Sequence, residues 1–133
     1  MFNSLIEDIK RNFNFLILNY GFKIDEVRYD ETDFGNAYVE YKNQDITIRI
    51  IRERGEYFMD INKNRTDEWF SFFYFIKLIS PQELVSKNID ILSIQLSEHI
   101  NQIIIQMNEN NYNATSESLK RITSEYTSAM FKH

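Results

Sequence analysis

The chain has no cysteine, one proline and three glycines in 133 residues. Without cysteine there is no disulfide framework, no thiolate metal site and no cysteine nucleophile. With so little Gly and Pro, sharp corners are few and most of the chain belongs in regular elements. Gly21, Gly35 and Gly55 stand far apart, so no glycine-rich loop exists to cradle a phosphate. Histidine is almost as scarce. His133 is the last residue, and His99 sits beside Glu98 with no second histidine at a metal-ligand spacing. A serine nucleophile would therefore lack an obvious base. The first residues, Met1-Phe2-Asn3-Ser4-Leu5-Ile6-Glu7-Asp8, have neither a basic stretch nor an unbroken apolar one, so a secretory signal is not expected. No apolar run approaches the roughly 18 residues of a membrane span. The longest, Trp69–Ile79, is interrupted by Ser71 and Lys77. Neither cofactor, metal nor membrane is expected, and a cytoplasmic location is.

What is present suits one folded domain over residues 1–133. Hydrophobic residues make up 43% and charged residues 26%, too apolar for disorder. Net charge is −5, and most of it is local. Asp25, Glu26, Asp30, Glu31 and Asp33 face only Arg28, a net −4 over residues 25–33. That balance disfavours nucleic acid, which is held by Lys and Arg at its phosphates. It favours a basic protein partner instead.

Periodicity divides the chain in two. Phe2, Leu5, Ile6, Ile9, Phe13, Leu16, Ile17 and Tyr20 recur at spacings of three and four, which predicts an amphipathic helix over residues 2–19. Gly21 follows as its left-handed cap. The period then drops to two. Phe22 and Ile24 alternate with Lys23 and Asp25, and the parity shifts at Val27 and Tyr29, which predicts a strand with a bulge or one that twists off an edge. After an acidic loop over residues 30–36, three more strands are expected. Ala37, Val39 and Tyr41 mark the first, Ile46, Ile48 and Ile50 the second, and Tyr57, Met59 and Ile61 the third. Short turns join them into a four-stranded antiparallel meander with one apolar face to be covered.

The second half is helical. Trp69–Ile79 is read as an aromatic core helix capped by Thr66, a fifth strand being the alternative. Ser80-Pro81-Gln82-Glu83 carries a capping box with proline at the first helical position, so a helix is expected to restart there. The stripe Val85, Ile89, Leu92, Leu96, Ile100, Ile103, Met107 reads as a short helix to about residue 87 and a long one over about 89–108, with Asn88 as a cap. A last, weakly apolar helix over about 115–131 carries Leu119, Ile122, Tyr126 and Met130. It is expected to pack on the long helix, or to order against a partner or a second copy. The fold class is α+β: an N-terminal helix, a four-stranded antiparallel meander, then three to four helices covering one face.

No pair of carboxylates is marked as convergent, so no catalytic residue is assigned and an enzyme is not expected. Arg49, Arg52, Arg54, Lys63 and Arg65 are expected to pair across strands with Glu40, Glu53 and Glu56. The segment Phe13-Asn14-Phe15-Leu16, then Tyr20-Gly21-Phe22, strands, a Trp-containing apolar helix and Ser80-Pro81-Gln82-Glu83-Leu84 resembles a broad set of small uncharacterised bacterial α+β proteins. Some of these are similar to immunity proteins of polymorphic toxin systems. The resemblance covers about residues 10–85, rests on structural residues and carries over no functional one. It implies a non-enzymatic binding domain that neutralises a toxin. The local negative charge, and not the resemblance, makes Asp25, Glu26, Asp30, Glu31 and Asp33 the expected partner-binding residues. The alternative is a small acidic dimeric chaperone or adaptor resembling secretion chaperones.

Overall fold

The computed structural model describes residues 3–30, 32 and 35–130, with Met130 described by its backbone alone. Helix α1 (Ser4–Phe13) begins where Asn3 turns its side-chain oxygen to the N–H groups of Leu5 and Ile6, satisfying two donors that the helix leaves orphaned. The expected single helix is interrupted at Asn14, and α2 (Phe15–Tyr20) completes it. Ile6, Ile9, Phe13 and Leu16 are buried, as the spacing requires. Gly21 adopts φ 72°, where a Cβ is strained, and so turns the chain out of the helix.

Five strands follow: β1 (Lys23–Asp30), β2 (Asn36–Lys42), β3 (Ile46–Glu53), β4 (Glu56–Lys63) and β5 (Trp69–Ser71). They lie side by side in chain order, each antiparallel to the next. The bulge is present: pairing steps from Ile24 opposite Tyr41 to Glu26 opposite Glu40, leaving Asp25 unpaired.

The sheet thus has five strands, and the expected helix from Trp69 gives its first three residues to β5. A turn explains this. Asn62 donates from Nδ2 to the carbonyls of Thr66 and Glu68, at 3.0 and 2.8 Å, which folds residues 64–68 back alongside β4. Thr66 is used inside that turn, donating to the Lys63 carbonyl and accepting from the Glu68 N–H, so it caps no helix. Trp69–Ser71 then lies within reach of Asp60–Asn62 and pairs with it. Helix α3 (Phe72–Ile79) starts only afterwards, capped by Ser71 Oγ on the Phe73 N–H.

The restart at Ser80 is also corrected: residues 80–88 form no helix. Ser80 Oγ does reach Glu83, but the Ser80 N–H closes α3 on the Ile76 carbonyl, and the Glu83 N–H returns to the Ser80 carbonyl as a turn. Beyond it, Gln95 takes over the backbone. Its Nε2 donates to the Leu84 carbonyl, and its Oε1 accepts from the Ser86 N–H. A side chain from a distant helix thus meets needs that a local helix would have met. Asn88 caps α4 (Ile89–Gln106) through the N–H groups of Asp90 and Ile91. Helix α5 (Tyr112–Met130) starts three residues ahead of the expected Thr115. Thr115 and Ser116 serve as buried packing positions, bonded to Gln106 and Glu68.

One cluster of buried side chains joins the layers. Ala37, Val39 and Tyr41, Ile46, Ile48 and Ile50, and Tyr57, Met59 and Ile61 point to one side of the sheet. There they meet α1, α3 and α4 through residues such as Ile9, Phe13, Phe75, Leu96 and Ile100. Phe70, Phe72, Phe75 and Ile76 make the aromatic run part of this core, while Trp69 remains 38% exposed. Helix α5 lies chiefly against α3, burying Leu119 and stacking the Tyr126 ring edge-on against Phe73 and Tyr74. Glu68 anchors it, accepting from Tyr112 and Ser116 and pairing with Lys120.

Candidate functional site

The other alternation of the strands forms the opposite sheet face, and none of its residues belongs to the core cluster. Register places Glu26, Glu40, Arg49, Asp60 and Ser71 in one row across all five strands. Tyr38, Ile51 and Phe58 form the row on one side of it, and Thr47, Asn62 and Trp69 the row on the other.

Arg49 is the centre of this face. Its guanidinium carbon lies 4.2 Å from the Trp69 ring centroid and 4.9 Å from that of Tyr38, so the cation is held between two aromatic faces. Its Nη2 donates to Glu40 Oε1 at 3.4 Å, the cross-strand pair expected from sequence. These long side chains roof over Glu40, which is only 6% exposed on a face that no core residue covers. Glu40 Oε2 and Arg49 Nε are buried without hydrogen-bond partners among the described residues. Asp60, on the other side of Arg49, is driven above its ordinary value by burial, with Arg49 opposing the rise. Tyr38 donates to Glu26 at 2.8 Å, a bond that raises its own hydroxyl's pKa. The row therefore carries three carboxylates and one guanidinium beneath an aromatic rim.

The sequence-expected acids are distributed along β1 and the turn after it. Asp25 is exposed on the bulge, Glu26 joins the open face, and Asp30 closes the strand, accepting from the N–H and hydroxyl of Thr32. Five residues of strand place Asp25 and Asp30 about 16 Å apart, too far to act on one small group. Glu31 and Asp33 lie outside the described residues. Asp30 shares a surface depression with Arg28 and Arg52, so the far end of β1 is mixed in charge. Val27 and Tyr29 point to the core side yet remain 42% exposed each, because β1 extends beyond the helices. As the first strand in the sheet order, β1 also has an edge with no neighbouring strand among the described residues.

A second constellation arises where α4 meets residues 80–88. Glu83, Glu98 and His99 bring ligand atoms within 4.8 Å of one another. His99 Nε2 lies 2.8 Å from Glu83 Oε1, which also accepts from Ser80, while Gln95 donates to Oε2. Burial works to raise the Glu83 pKa, but the bonds from His99, Ser80 and Gln95 outweigh it and hold the carboxyl below its ordinary value. With three side chains already on it, this carboxylate acts here as a latch on the connection between α3 and α4. The separation of sixteen positions between Glu83 and His99 hid this contact from a search by spacing.

No helix among the described residues is long and apolar enough to cross a membrane. No protein-family model, curated protein or solved structure matches this chain.

Proposed function

We propose that the chain is a protein-binding domain that receives a basic partner on its open sheet face, in the manner of an immunity protein masking a toxin. The observation that carries this is the row Glu26–Glu40–Arg49–Asp60 under the rings of Tyr38, Trp69 and Phe58. Trp, Tyr and Arg are the residues most enriched where binding energy concentrates, and here they surround partly desolvated carboxylates. A lysine or arginine of the partner would meet Asp60 and the exposed Glu26. The bare edge of β1 supports the same reading, since it offers backbone groups to an extended segment, with Asp25 and Glu26 beside them. Charge of this kind chiefly sets association rate and partner choice.

The test is affinity capture from the source cells with two baits, the wild type and a Glu26→Lys, Asp60→Lys, Trp69→Ala variant. A basic protein retained by the first and lost from the second is expected. Identical captures from both baits would remove the open face from the mechanism.

One observation favours a second reading, self-association as in a dimeric adaptor. Ile91, Ile94 and Ile105 are 52%, 56% and 55% exposed. At 100° per residue they fall on one face of α4. A light-scattering mass of 16.1 kDa at micromolar concentration would count against it.

A further inference from the structure

Strand β5 pairs with Asp60, Ile61 and Asn62, so among the described residues the first half of β4 has no strand on that side. The connection between α3 and α4 runs past this free half and supplies one bond, from the Tyr57 N–H to the Lys87 carbonyl at 3.0 Å. It leaves a cleft of about 560 Å³ between itself, β4 and the first turn of α3. The volume falls within the roughly 300–1,000 Å³ range of small-molecule sites.

The walls are mainly apolar: Tyr57 and Met59 of β4, Phe72 and Phe73 of α3, Val85 of the connection and Leu92 of α4. The side chains lining it contribute hydroxyls and one ammonium group as their polar atoms. Ser71 Oγ accepts from the Phe73 N–H and Ser86 Oγ from the Asn88 N–H, so each hydroxyl hydrogen is left to donate. Lys87 adds an ammonium group, and no carboxylate lines the cleft among the described residues. Its pairing with Glu56 at 3.3 Å is solvent-exposed on both sides, and such a pair is easily exchanged for another anion. The wall is also held in place in advance. Gln95 fixes the backbone at Leu84 and Ser86, and the latch on Glu83 holds the segment just before them. Preorganisation of this kind lowers the cost of binding.

We infer that this cleft binds a small apolar carboxylate, with the hydrocarbon against Phe73, Tyr74 and Val85 and the carboxylate at Lys87 and the two serine hydroxyls. The cleft shares Phe58 and Ser71 with the border of the sheet face proposed for the partner, yet neither reading depends on the other.

The experiment is calorimetric titration of the full chain with decanoate and, in parallel, with decanol. Decanoate is expected to bind saturably at one site. Lys87→Glu, a surface change, should weaken decanoate by about fivefold or more while leaving decanol within about twofold. Val85→Trp, which fills the cleft from its wall, should abolish both without lowering the melting temperature. Absence of saturable decanoate binding up to about 1 mM would overturn the site. Equal binding of decanoate and decanol, unchanged by Lys87→Glu, would overturn the assignment of a carboxylate.

Discussion

Replacing Arg49 by methionine should destabilise the protein more than replacing its partner Glu40, and replacing both should cost little. Two unit charges at the observed 3.4 Å attract by about 5 kcal/mol at an effective dielectric constant of about 20. Against that stands the desolvation of Glu40, whose side chain is 8% exposed, at several kcal/mol. Arg49 is 31% exposed and keeps part of its hydration, and its two ring contacts add about 0.5–1 kcal/mol each. Arg49→Met therefore leaves a buried carboxylate without a counterion and should cost about 2–3 kcal/mol. Glu40→Met leaves a cation that reaches water and should cost about 1 kcal/mol or less. The double variant should fall within about 1 kcal/mol of the wild type, giving a coupling of about 2 kcal/mol. Urea unfolding followed by circular dichroism at the helix band measures all four species without relying on Trp69, whose surroundings change. An Arg49→Met variant within about 0.5 kcal/mol of the wild type, with Glu40→Met the costlier change, would refute the reasoning. It would mean that the carboxylate is hydrated. The double variant should remain folded yet fail to hold the partner, because the anchor of the open face is gone.

Tyr41 is fully buried with its hydroxyl unpartnered among the described residues, and burial pushes that hydroxyl's pKa up. Tyr41→Phe should thus be neutral or stabilise by up to about 1 kcal/mol in the same unfolding assay. Glu68 is held below the ordinary carboxylate value by Lys120 and Tyr112, and Glu83 by His99, Ser80 and Gln95 against burial. Both contribute stability above the unfolded value near 4.5, and lose it as pH falls through their lower folded values. A Glu68→Gln, Glu83→Gln variant should melt lower at pH 7 but lose less between about pH 5 and 3 than the wild type, by scanning calorimetry. At Gly21, a Cβ would meet nothing within 4 Å, so Gly21→Ala should cost about 1 kcal/mol, from the left-handed backbone alone.

Much of the architecture is local in origin and was legible. The three-four spacing of Ile6, Ile9, Phe13 and Leu16 requires a helix with one buried face, whatever it packs on. The parity shift between Ile24 and Val27 pointed to a bulge or a twist at an edge, because side chains alternate with a period of two, and the register shows the bulge. Gly21 and Asn88 act through their own backbone and nearest N–H groups. Of the site, the Glu40–Arg49 pair was legible, since two adjacent alternating strands bring such residues opposite each other. The rest of that face was not: Trp69 reached Arg49 only by joining the sheet, and its residue type suits helix and strand nearly alike.

Local chemistry by itself determined the alternation of the strands, the helix ends at Gly21 and Asn88, and the clustering of acids over residues 25–33. Tertiary structure alone decided the outcomes that needed a partner far along the chain. Asn62 bent residues 64–68 back and made Trp69–Ser71 a strand. Gln95 and His99 drew Ser80–Lys87 out of a well-signalled helix start by bonding its backbone and its glutamate. The helices fell short of β1 and left one sheet face without a cover. Each turns on hydrogen bonds and contacts that become affordable only once the core has paired residues distant in the chain, which no local pattern encodes.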